Sequence, residues 1–124
     1  MRVLYIDDDP FIREIAEMSL GFDPSFDVRL AENGSDALRL VEDQSWAPEL
    51  FLIDVMMPGM DGPQLLAALR ATGRFTHTPA IFVTARAQPH EHKRLLEAGP
   101  IGIITKPFEA ATLAADVRRL VEGA

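Results

Sequence analysis

Apolar residues along the chain switch between two spacings. Short runs of strand character at residues 3–6, 26–30, 50–53, 80–83 and 101–104 alternate with longer stretches of helical period. This alternation predicts repeated βα units, and so an α/β fold of five strands and five helices around a mainly parallel sheet. The run 50–53 is continuously apolar, as in a strand buried on both faces. In 26–30, Asp27 and Arg29 alternate with apolar neighbours, as on a half-exposed edge strand.

The helices are marked by their ends and their stripes. Asp9 reads as an N-cap with Pro10 at the first helical position, and Ile12, Ile15, Ala16 and Ser19 face inward. Asn33-Gly34 makes a turn before a stripe of Ala37, Leu38 and Val41 that stops ahead of Trp46 and Pro48. A loop rich in turn residues, 56–62, leads into a helix with Leu65, Leu66 and Leu69 inward. Gln88 and Pro89 open a helix that turns Leu95 and Leu96 to the core and stops at Gly99. The last helix buries Leu113, Val117, Leu120 and Val121. No linker or repeat interrupts the pattern, so residues 1–124 are read as one domain.

Composition narrows the function classes. The chain has 124 residues, 48% hydrophobic and 25% charged, the profile of an ordinary folded domain. The absence of cysteine removes disulfides, thiolate zinc sites and cysteine nucleophiles. Three early aspartates and the lack of a long apolar run argue against secretion and membrane insertion, which leaves the cytoplasm as the expected compartment. A net charge of −7, with no basic stripe, disfavours direct nucleic-acid binding.

In open parallel sheets ligands bind beyond the carboxyl ends of the strands. Those positions hold Asp7, Asp8 and Asp9 after the first strand, Asp54 after the third, Thr84 after the fourth, and Lys106 and Pro107 after the fifth. Asp7, Asp8 and Asp54 come close together if the first and third strands are neighbours. Clustered carboxylates repel one another unless a cation or protons intervene, and an all-oxygen donor set near a phosphate favours magnesium. Lys106 and Thr84 supply a point charge and a hydroxyl for an anionic group. Asp54 is then the candidate nucleophile for phosphoryl transfer.

Four segments together resemble the receiver domain of two-component response regulators, over essentially the whole chain. They are Ile6-Asp7-Asp8-Asp9, the stretch from Leu52 through Asp54 to Met56-Met57-Pro58-Gly59-Met60-Asp61-Gly62, Val83-Thr84-Ala85, and Thr105-Lys106-Pro107-Phe108. The resemblance implies a flavodoxin-like, three-layer αβα sandwich with strand order 2-1-3-4-5. It implies that Asp54 accepts a phosphoryl group from a phosphohistidine on a sensor histidine kinase or histidine phosphotransfer protein. Asp8, Asp54 and the main-chain carbonyl of Met56 would bind Mg2+, with Asp7 acting largely through water. Lys106, Thr84 and the Ala85 amide would bind phosphoryl oxygens, and Pro107 would follow a cis peptide bond. Such a domain is a switch rather than an enzyme. Its fourth helix, fifth strand and fifth helix would form the output face, open to a protein target or a second copy of the chain.

The sequence departs from the family pattern at Ile103, where receivers usually carry the tyrosine or phenylalanine of an aromatic switch. Met56 and Arg86, two residues after Asp54 and Thr84, are at positions that resemble those tuning phosphoryl lifetime in the family. Neither can orient an attacking water well, so slow hydrolysis is expected. The methionines of the 56–60 loop read as core filling. His77, His90 and His92 read as surface residues, Trp46 as a partly packed loop residue, and Arg118 and Arg119 as complements to a helix dipole. No effector segment follows Ala124 in this sequence, so if it is the full chain, output is expected through protein contacts. The competing readings are a degenerate receiver used for docking or dimerisation, and a phosphohydrolase of the haloacid-dehalogenase type.

Overall fold

Five strands and five helices alternate along the described residues of the computed structural model, which are 1–86 and 88–124. In chain order they are β1 (Arg2–Ile6), α1 (Pro10–Leu20), β2 (Asp27–Ala31), α2 (Gly34–Leu40), β3 (Leu50–Asp54), α3 (Gly62–Ala71), β4 (Ala80–Thr84), α4 (Pro89–Leu96), β5 (Gly102–Thr105) and α5 (Leu113–Glu122). All strand pairs are parallel and the order is β2-β1-β3-β4-β5, as the resemblance implied. No helix of the described residues is long and apolar enough to cross a membrane.

The period of two in each strand splits the core into two layers. Leu4, Ile6, Phe51, Ile53 and Phe82 pack against α2 and α3 through Ala37, Leu65, Leu66 and Leu69, with Leu95 of α4 in the same cluster. Val3, Tyr5, Leu50, Leu52, Ile81 and Val83 pack against α1 and α5 through Ala16, Leu20, Leu113 and Val117. Both faces of β1, β3 and β4 are thereby covered, which accounts for their continuous apolar runs.

Local chemistry places the helix starts beside the strand ends. The Asp9 carboxylate accepts the amides of Phe11 (2.9 Å) and Ile12 (3.4 Å), with Pro10 next in the helix, and such a cap contributes about 1 kcal/mol. Asp61 and Gln64 form a reciprocal capping box at α3, each bond 2.9 Å long. Between them Gly62 lies flat on the end of β3. A Cβ there would fall 2.9 Å from Val55 Cα and 3.0 Å from the Asp54 carbonyl oxygen, so α3 approaches Asp54 this closely because residue 62 is glycine.

Four expectations shift. The second strand begins at Asp27 rather than at residue 26, because the Phe26 amide closes a turn onto the Asp23 carbonyl (3.1 Å) while its ring stays in the core. The fifth runs from Gly102 to Thr105, one residue later than expected. Thr105 pairs with Thr84, and Leu120 of α5 sits where a Gly102 Cβ would be. Leu96 is 49% exposed, since adjacent helical residues point about 100° apart and Leu95 takes the core position. Trp46 is buried rather than partly packed, its indole N–H donating to Asp27 (2.8 Å) and the Arg29 guanidinium stacked on its ring.

Candidate functional site at the carboxyl edge of the sheet

The parallel register brings the strand ends together. Ile6 pairs with Ile53, Asp54 with Val83 and Thr84 with Thr105, so Asp7, Asp54, Thr84 and Lys106 emerge along one edge. Alternation sets the side of the sheet: Asp7 follows Tyr5, and Asp54 follows Leu52, on the face that meets α1 and α5.

Lys106 joins the two buried carboxylates. Its Nζ lies 2.8 Å from Asp7 Oδ2 and 3.2 Å from Asp54 Oδ1, and only 18% of its side chain is exposed. Burial works against the ammonium, but the two carboxylates outweigh it and hold its pKa above the ordinary lysine value. Asp54 is pushed up to about 6. Burial is the main cause and the Asp7 charge adds to it; Lys106 and the Met56 amide pull the other way.

Asp7 is fully buried, and protein donors surround it. Oδ2 accepts Lys106 Nζ and the Tyr5 hydroxyl (3.1 Å), and Oδ1 accepts the Asp9 amide (3.0 Å). Tyr5 escaped the sequence reading because a tyrosine inside an apolar strand reads as core. The available signal was its place two residues before Asp7, on the same face. Burial and the Asp7 charge raise the Tyr5 hydroxyl far above its ordinary pKa, so it remains a donor.

Asp8 is exposed, and carboxylate oxygens of Asp7, Asp8 and Asp54 lie within 4.8 Å of one another. Three hard oxygen donors at this spacing fit a small divalent cation with bound waters better than a zinc site, which prefers nitrogen or sulfur. Met56 is exposed beside them. Thr84 is buried with its hydroxyl accepting the Arg86 amide (3.1 Å), while Ala85 and Arg86 are exposed. The Lys106–Pro107 peptide bond is cis. Ile103 is half-buried on β5 and packs against the core layer of α2 and α3.

Two readings of outlying residues change. His92 is half-buried, and its Nε2 lies 2.7 Å from the Arg86 carbonyl, so it ties α4 to the chain after β4; His77 and His90 are exposed. Arg118 does more than offset a dipole. Its Nε donates to Asp23 (2.8 Å) in the connection between α1 and β2, and its guanidinium covers Phe26.

Comparison with known proteins adds three findings. The family model described as the response regulator receiver domain matches residues 3–118. The chain is 37% identical over 121 residues to Response regulator MprA of Mycobacterium leprae, covering 98% of this chain and 51% of that protein. It is 35% identical over 119 residues to Response regulator Rre1 of Synechocystis, covering 96% of this chain and 51% of the relative. The chain thus spans about half the length of these curated relatives. Chemotaxis response regulator CheY4 of Vibrio cholerae superposes with a TM-score of 0.85 at 28% identity, over 96% of this chain and 97% of that one. The receiver domain of the Francisella response regulator 1452 superposes with a TM-score of 0.82 at 30% identity, over 98% and 97%. With the strand order, the acidic edge and this match over nearly its full length in agreement, the chain belongs to the response regulator receiver domain family.

Proposed function

We propose that this receiver domain is a phosphorylation switch in which Asp54 takes a phosphoryl group from a phosphohistidine of a sensor kinase or phosphotransfer protein. The observation that carries this reading is the joint placement of Asp54 beside Lys106 and within 4.8 Å of Asp7 and Asp8. In the transfer, an Asp54 oxygen forms a bond to phosphorus as the bond from phosphorus to the donor nitrogen breaks, and the donor histidine leaves with the electron pair. Lys106 turns its ammonium from the carboxylates to the phosphoryl oxygens, and Thr84 and the Ala85 amide donate to the same group. Asp8, Asp54 and the Met56 carbonyl are the atoms that would hold Mg2+, with Asp7 reaching it through water. The bound ion would neutralise charge on the phosphoryl oxygens. The test is intact mass after incubation with acetyl phosphate and Mg2+. A single phosphoryl adduct supports a competent switch, and none on folded, Mg2+-bound protein argues for a docking module.

The output would pass through α4, β5 and α5. An open cleft of about 430 Å³ there includes Ile103, Phe108 and Leu120. Ile103 in place of an aromatic ring is what favours the second reading, a docking or dimerisation module without phosphorylation. Family membership sets the dehalogenase alternative aside.

Two consequences are measurable. The labelling rate at low Mg2+ should rise with pH up to about 6 and then level, because only ionised Asp54 is nucleophilic and its folded-state pKa is raised to that value. Below the break the slope should approach tenfold per pH unit, and saturating Mg2+ should move the break to lower pH by favouring the ionised form. A profile unchanged between pH 5 and 7 would contradict this. Met56 is 56% exposed and carries no group that orients water. Met56→Asn should therefore shorten the acyl phosphate lifetime by about tenfold, measured as decay of the adduct mass; an unchanged decay rate removes the idea.

A further inference from the structure

We propose that Tyr5 is a positioning residue of the phosphoryl and cation site, holding Asp7 from the core side through its hydroxyl. The inference rests on the phosphorylation reading above and adds a residue to its machinery. Tyr5 is the chain's single tyrosine and is fully buried in β1. A buried tyrosine hydroxyl needs a polar partner, and here it donates to Asp7 Oδ2 at 3.1 Å. The same oxygen receives Lys106 Nζ at 2.8 Å, and Oδ1 receives the Asp9 amide at 3.0 Å. A carboxylate offers about four acceptor sites, so three protein donors leave about one, on Oδ1, for a water or a cation.

That arrangement matters most when Lys106 turns to a phosphoryl group. Asp7 then loses its strongest partner while fully buried, and a carboxylate left without partners would rotate to find new ones. The Tyr5 hydroxyl and the Asp9 amide hold the two oxygens independently, one each, so Asp7 keeps its orientation. Phenylalanine at residue 5 would fill the same space and supply no such donor.

The test compares Mg2+ binding by calorimetry in the whole chain and in Tyr5→Phe, each also in an Asp7→Asn background. Losing a partner that orients a ligand usually weakens metal binding at least tenfold, so Tyr5→Phe should raise the Mg2+ dissociation constant by roughly tenfold. In the Asp7→Asn background the same change should matter less than about twofold, because the effect travels through Asp7. The lone tyrosine gives a second readout. Its 13Cζ resonance should move on Mg2+ addition in the unsubstituted chain and stay fixed when Asp7 is Asn.

Equal Mg2+ affinity in Tyr5→Phe and the unsubstituted chain would overturn the proposal. So would a loss of the same size in both backgrounds, which would mark Tyr5 as packing alone. If the unsubstituted chain binds Mg2+ and is labelled while Tyr5→Phe matches it, only the Tyr5 assignment falls. If the unsubstituted chain binds no Mg2+, the phosphorylation reading falls with it.

Discussion

Asp54→Asn will take up no phosphoryl group from acetyl phosphate and Mg2+ under conditions that label the unsubstituted chain, a loss on the order of 1000-fold or more in rate. The expectation rests on how the three carboxylates differ. Asp7 already accepts three protein donors and is fully buried, and Asp8 is exposed with no lysine beside it among the described ion pairs. Asp54 shares with Asp7 its burial, the Lys106 ammonium (here at 3.2 Å) and a place among the acidic residues, but its donors are Lys106 and the Met56 amide alone, so it keeps more free acceptor capacity. Intact mass reads the result, and an adduct that survives in the variant would assign the nucleophile elsewhere.

Folding is separable from chemistry in that experiment. An acid whose folded-state pKa is raised binds more protons folded than unfolded, so its charge costs stability as pH rises from the ordinary aspartate value to about 6. Asparagine removes this cost and leaves Lys106 with Asp7 at 2.8 Å. The variant should therefore be at least as stable as the parent at pH 7, by thermal melt, and lost labelling cannot be blamed on unfolding.

The site was legible because a parallel sheet sends every strand's carboxyl end to one edge, so Asp7, Asp54, Thr84 and Lys106 could be grouped from the apolar runs that precede them. The fully covered strands β1, β3 and β4 were legible for a related reason, since burial on both faces leaves no polar residue to blur the run. The edges were harder to read. Phe26 is apolar and buried yet stands outside the ladder, because a turn hydrogen bond takes its amide. Contacts made by the far end of a long side chain to a residue distant in sequence left no local trace: Trp46 reaches Asp27 and Arg118 reaches Asp23. Each polar tip is carried on a body that packs like a hydrophobe, so spacing reports the body and stays silent about the tip.

Lys106→Met should lose about 3 kcal/mol of stability at pH 7 without Mg2+, or roughly 10 °C in Tm. Methionine preserves the unbranched stem, which packs where only 18% of the lysine side chain is exposed, and deletes the charge. Asp7 and Asp54 are then two buried anions with no counter-ion, and like charges whose oxygens come within 4.8 Å repel by roughly 3 kcal/mol at an effective dielectric of 20. The variant's pH dependence identifies the cause. Without the ammonium, Asp54 loses an influence that lowers its pKa, so its folded-state value climbs further above 6. Stability of the variant should fall as pH rises from about 4 through 7, and at pH 5 a bound proton should recover much of the loss. Millimolar Mg2+ should restore part of it at pH 7 by supplying the missing positive charge. Thermal melts at pH 5 and 7, with and without Mg2+, separate the two explanations. A deficit equal at both pH values and indifferent to Mg2+ would mean that the lysine stem, rather than its charge, holds the edge of the sheet together.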